Sequence, residues 1–159
     1  MSDKVGPDIP RPVSAGADRE LERRNMGITT LAFKVMPRET DGRLFVVEQT
    51  SPGRGGPPRH VHLHQEEWFF ALEGDFVVEV GGRAHRLGPG DSILAPRNIP
   101  HTWAFVGDGV GRLLIGFTPA GRMEAFFRAV TATGAMPSED PGLWLAHGMR
   151  VVGPPLALA

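Results

Sequence analysis

The chain has no cysteine, which excludes disulfide bracing and leaves no thiolate to ligate a metal. It has no excess of charge of one sign: 17 Lys and Arg stand against 18 Asp and Glu, a net charge of −1. A nucleic-acid partner or an anionic membrane surface is therefore not expected. Long apolar runs are also missing. The longest stretch of large apolar residues, Trp68 to Leu72, is far too short to span a bilayer. The opening residues, M-S-D-K-V-G-P-D-I-P-R-P, lack the apolar run of a secretory leader, so a cytoplasmic location is expected. What is abundant is glycine, 21, and proline, 15, in a chain of 159 residues. They punctuate short apolar runs, a pattern that predicts many turns between many strands. With 41% hydrophobic residues, the length suffices for one domain with a core of its own.

The chain divides into three parts. Residues 1–27 read as an N-terminal arm, partly extended or disordered, because prolines and glycines recur there without periodicity. Its charge run from Asp18 to Arg24 reads as a solvated linker. Residues 28–118 read as strands: Ile28 to Met36, Leu44 to Thr50, Glu67 to Leu72, Phe76 to Val80, Arg83 to Leu87, Asp91 to Ala95, His101 to Val106 and Val110 to Phe117. Tight turns are expected at Glu73-Gly74-Asp75 and at Gly81-Gly82. In residues 119–159 the period changes. Met123, Phe126, Phe127 and Val130 form the apolar stripe of a helix laid on a core. A second short helix is expected with Asp140 as N-cap, Pro141 at its first position, and a stop at Gly148 with His147 in the last turn.

Three of the six histidines fall together at His60, His62 and His64, followed at once by Glu66 and Glu67. Histidines two apart on an extended chain share a face, with Cα atoms roughly 6–7 Å apart. Two such imidazoles can close on one ion, and a nearby carboxylate is the usual next ligand. Parity favours Glu66 as that carboxylate. Glu67 could join only if the chain bulged or turned between Leu63 and Glu66. His85 and His147 have no partners at ligand spacing and read as surface or helix-end residues.

The segment His60-Val61-His62, four residues, Glu67, six residues, Gly74 resembles the first motif of the cupin superfamily. Glu66 would break that spacing, so the resemblance implies Glu67 as the ligand. The second motif is matched by Gly90, five residues, Pro96-Arg97-Asn98, two residues and His101. Asn98 stands where the family has glycine, a tolerable exchange because asparagine best accepts a positive φ. Phe105 stands where the family has asparagine. H-V-H-L-H-Q-E-E-W-F-F-A-L-E-G, the T-P-A-G…F-F-R segment at Thr118 to Arg128 and the closing G-P-P-L at Gly153 to Leu156 resemble the small quercetinase-like (quercetin 2,3-dioxygenase-like) cupins.

The resemblance implies an all-β double-stranded β-helix, a jelly-roll cupin barrel, with one or two C-terminal helices packed outside. It implies a metal site of His60, His62, Glu67 and His101 holding one divalent transition metal ion: Fe, Mn, Ni, Co, Zn or Cu. Three neutral imidazoles and one carboxylate leave a net charge of about +1 and two open octahedral positions, which favours a bidentate oxygen ligand. The expected function is a metal-dependent oxidoreductase, a quercetinase-like dioxygenase acting on a hydroxylated aromatic or enol. Alternatives are a Lewis-acid isomerase and a non-catalytic small-molecule or metal-binding cupin. Glu67 is also a candidate catalytic base, while His64, Phe69, Trp103 and Phe105 are candidates for the substrate pocket. A homodimer, with the N-terminal arm in its contact, is expected from the family.

Overall fold

A computed structural model describes residues 10–134 and 140–158. Residues 1–9, where the arm begins, lie outside the described residues. The strands are β1 (Arg24–Met26), β2 (Thr29–Val35), β3 (Phe45–Ser51), β4 (Arg59–His62), β5 (Glu66–Glu73), β6 (Phe76–Val80), β7 (Arg83–Leu87), β8 (Ser92–Ala95), β9 (His101–Phe105), β10 (Gly111–Thr118) and β11 (Met149–Gly153). The helices are α1 (Met123–Thr131) and α2 (Pro141–Ala146). Two antiparallel sheets result, a six-stranded one ordered β1-β2-β3-β10-β5-β8 and a five-stranded one ordered β11-β4-β9-β6-β7. This is the expected all-β barrel with helices outside it. None of the described helices is long and apolar enough to cross a membrane.

Alternation builds the interior. Phe33, Phe45, Phe69, Phe76, Phe105 and Phe117 all point inward and are fully buried, each worth about 1.5–3 kcal/mol of apolar transfer. Phe33 meets Phe45 edge-on at 5.0 Å, and Phe45 stacks on Phe117 at 6.0 Å. β10 runs through the middle of the six-stranded sheet between β3 and β5, which accounts for its nearly continuous apolar sequence.

The C-terminal segment is more than a pair of external helices. The stripe Met123, Phe126, Phe127 and Val130 is buried as its spacing predicts. Phe127 rests on Phe45 at 6.2 Å and on Phe117 at 5.8 Å. At α2 the Asp140 carboxylate accepts a hydrogen bond from the Gly142 N–H, and Pro141 opens the helix. Beyond Gly148, at φ 81°, the chain returns to the barrel as β11, paired with β4. That strand was not legible in M-R-V-V-G, which is too short and too mixed to stand out from a tail.

The charge run at Asp18 to Arg24 is not a solvated linker. Asp18 and Arg24 are buried, and the Asp18 carboxylate accepts from Arg24 Nε at 2.9 Å and from the Phe33 N–H at 2.8 Å. The Arg24 guanidinium lies 3.8 Å from the centre of the Phe33 ring. Glu20 accepts from Arg24, Arg38 and Arg128. These ion pairs fasten the arm to the barrel and to α1. They are invisible in sequence because the partners lie up to 108 residues away.

Candidate metal centre

His60 and His62 sit two apart on β4 and point into the barrel, and His60 is paired in register with His101 of β9. After His62 the chain leaves the five-stranded sheet, bends through Leu63 to Gln65, and enters β5 of the six-stranded sheet. This change of sheet resolves the parity mismatch. Glu67 faces the histidines from the opposite wall, while Glu66 points outward and pairs with Arg97 at 2.8 Å. Asn98 adopts φ 64°, as expected of the residue standing in for glycine, and its N–H donates to the His62 carbonyl at 2.8 Å.

One ligand atom from each of His60, His62, Glu67 and His101 lies within 4.8 Å of every other, and all four residues are buried. The Nε2 atoms of His62, His101 and His60 lie 2.8, 2.6 and 3.7 Å from the same oxygen, Glu67 Oε2. Their far sides explain the convergence. Nδ1 of His60 faces the Pro58 carbonyl at 2.7 Å, Nδ1 of His101 the Ile99 carbonyl at 3.0 Å, and Nδ1 of His62 the Gln65 Oε1 at 3.2 Å. Each acceptor calls for a proton on Nδ1 and turns Nε2 toward the shared point. Gln65 is itself oriented by donating to the Ala120 carbonyl at 3.2 Å. Its role was missed in the sequence, where a single glutamine beside a turn carries no signal.

His62 Nε2 carries the strongest indication of a cation. It is buried and makes no hydrogen bond, although Glu67 Oε2 is only 2.8 Å away. The distance is short but the alignment is not that of a hydrogen bond. A nitrogen lone pair and a carboxylate oxygen meeting so closely are what a shared cation between them would satisfy. The four side chains therefore fit a divalent transition metal.

The electrostatics match. Burial would raise the Glu67 carboxyl, yet His62 and His101 beside it hold it well below the usual carboxylate range. Burial alone would lower His101, but its bond to Glu67 outweighs burial and raises it. Burial lowers His60, keeping that imidazole neutral.

The centre opens into a cavity of about 330 Å³ whose walls include Gln49, Ser51, Trp103, Ile115, Phe117, Phe126 and Trp144. Trp144 of α2 lies 5.0 Å from the His60 ring. Of the four candidate pocket residues, only Trp103 lines this cavity. Phe105 packs into the core against Phe76 at 5.5 Å, and Phe69 lies behind the centre, edge-on to His101 at 6.1 Å. Both face inward, as alternation requires, but at levels of the barrel already filled. His64 is exposed, because the bend that redirects Glu67 turns it out of the barrel.

A cupin domain is recognised over residues 46–117. Quercetin 2,3-dioxygenase of Bacillus subtilis (strain 168) is 30% identical over 93 residues, 58% of this chain and 27% of that enzyme. The HTH-type transcriptional regulator PuuR of Escherichia coli (strain K12) is 27% identical over 120 residues, 75% of this chain and 63% of the regulator. The chain thus spans about a quarter of the dioxygenase and under two thirds of the regulator. Among solved structures, KdgF from Halomonas sp. shares the fold at a TM-score of 0.53 and 20% identity, covering 63% of this chain and 87% of that one. The two sheets and the matched domain agree: residues 46–117 match a cupin domain, set in an all-β cupin barrel, and the sequence is similar to that dioxygenase over 93 residues.

Proposed function

We propose that the protein is a metal-dependent dioxygenase of small hydroxylated aromatics or enols. The observation that carries this reading is the convergence of three Nε2 atoms, each with its Nδ1 engaged, on one buried carboxylate oxygen beside an apolar cavity. His60, His62, His101 and Glu67 would hold one divalent transition metal ion. Such an ion, when bound, supplies Lewis acidity and a redox couple to an oxygen-chelating ligand. The chain's own residues do the rest. Trp103, Phe117 and Trp144 offer flat apolar surface to an aromatic body and exclude water from the reacting end. Glu67, held as a carboxylate, can take a proton from a substrate hydroxyl if it swings free of the metal. His64, Phe69 and Phe105 have no direct contact with the ligand in this reading. A cytoplasmic homodimer is the proposed state, with the exposed Trp68 and Leu94, paired across β5 and β8, supporting association.

The test is consumption of quercetin and of simpler enols by the Fe, Mn, Ni and Cu forms, with and without O₂. Oxygen-dependent loss of substrate is expected with at least one metal. Turnover without oxygen would replace the reading by a Lewis-acid isomerase. The match to a transcriptional regulator favours a second reading, a cupin that binds its ligand without converting it. Tight binding with no turnover in any metal form would select that one.

A further inference from the structure

We infer that the cavity holds a second recognition point, Gln49 with Ser51, which takes a neutral hydroxyl or carbonyl at the end of the ligand remote from the metal centre. This rests on the proposed reading of that centre as the place where the ligand's oxygens chelate.

The inward positions of β3 are Phe45, Val47, Gln49 and Ser51. The first two are apolar core residues and the last two line the cavity. The register fixes their distance from the ligands. Phe45 stands abreast of Phe117 and Glu67, whereas Gln49 stands abreast of Leu113 and Ala71. Gln49 is thus four residues along the strand from the level of Glu67, roughly 13 Å, and Ser51 roughly 7 Å further. Beside Gln49 the neighbours Leu113, Ala71 and Leu31, and beside Ser51 Gly111, carry no side-chain hydrogen-bonding atom, while Thr29, next in the β2 register, lines the same cavity.

Ser51 is only 4% exposed, and its hydroxyl makes no hydrogen bond among the described residues. Neither does the Gln49 amide. Both polar ends therefore open into one cavity instead of onto a protein partner, Gln49 from a half-buried position and Ser51 from a buried one. Charge selects what completes them. Arg54 also lines this end, but its guanidinium donates to the Gly107 carbonyl at 3.2 Å and to Asp108 at 2.8 Å. A carboxylate would find its cation already engaged, whereas a hydroxyl or carbonyl suits an amide and a hydroxyl that can each donate and accept. The ligand that fits is bipolar: a chelating oxygen pair, a flat apolar body and a distal hydroxyl or carbonyl.

The test is a binding titration of metal-loaded protein with two flavonols that share the chelating 3-hydroxyl and 4-carbonyl and differ only in hydroxyls on the remote ring. Wild type, Gln49→Leu and Ser51→Ala are compared, with metal content and thermal melting showing that each variant remains intact. Wild type should prefer the hydroxylated flavonol roughly 3- to 10-fold. Gln49→Leu should erase that preference and Ser51→Ala, one pleat repeat further from the centre, should reduce it less, while affinity for the plain flavonol stays unchanged or rises. Equal binding of both flavonols by wild type, or a preference that survives both substitutions, would remove the second recognition point and leave the metal-site reading standing. Failure of either flavonol to bind the metal-loaded protein at all would remove both.

Discussion

At the scale of the residue, the centre depends on side chains that touch no metal. Gln65 holds the Nδ1 proton of His62 and is held in turn by the Ala120 carbonyl. Gln65→Leu should leave the fold intact and weaken divalent-metal binding roughly 10- to 100-fold, the usual cost of losing such a partner. Competition with a chelator measures it, and unchanged affinity would mean that His62 needs no outside orientation. Protons compete for the same atoms. His101, despite its burial, has a raised pKa in the metal-free site through its bond to Glu67, so below that raised value a metal must displace a proton from Nε2. Affinity should therefore climb with pH, by up to about tenfold per unit, until the pH passes the raised value. Calorimetry in buffers of different ionisation enthalpy counts the proton released. The same ion pair has the opposite effect on the metal-free fold. The stability that His101 contributes is complete below its ordinary value and is lost as pH rises through the raised one.

Elements explain which parts of this were legible. The spacing from His60 to Gly74 and from Gly90 to His101 identified all four converging side chains, because ligand geometry constrains residue type at fixed positions. The bend between β4 and β5 was required by parity, and it takes the form of a passage from one sheet to the other. The pocket walls were read less well. Alternation tells inside from outside but not the level along the barrel, so Phe69 and Phe105 were inward yet away from the cavity, and Gln49 and Ser51 passed unnoticed. The charge run Asp18 to Arg24 is opaque for a related reason: it is polar by composition, and contacts up to 108 residues away help to fasten it to the barrel. Asp18→Ala would take from Arg24 its one buried partner, leaving Glu20 and Glu22, and would leave the Phe33 N–H without its acceptor. A loss of about 1–3 kcal/mol is expected from urea unfolding. A loss under 1 kcal/mol would mean that the arm is a passive cover. Glu20 adds an acid limit. Arg38, then Arg128 and Arg24, outweigh its burial and lower its pKa to about 2. Its contribution is thus present above its ordinary value of 4.5 and fades as pH falls toward 2.

For the whole molecule, the barrel brings two kinds of surface into one enclosed space. Charged and imidazole groups, drawn from β4, β5 and β9, gather at one side. Apolar walls from β10 and both helices cover much of the rest, with α1 and α2 joined by Phe126 on Trp144 at 5.1 Å. A barrel of this kind hosts many functions, so the chemistry belongs to the site, and the proposed function stands or falls with an ion there. The decisive measurement is metal binding by protein purified without a polyhistidine tag, using Mn(II) or Co(II) and wild type beside His60→Ala, Glu67→Gln and His101→Ala. One ion per chain is expected in wild type, with affinity lost in each histidine variant and sharply reduced in Glu67→Gln. Binding of no ion by folded wild type, or of an ion that survives all three substitutions, would contradict a metal centre built from these side chains.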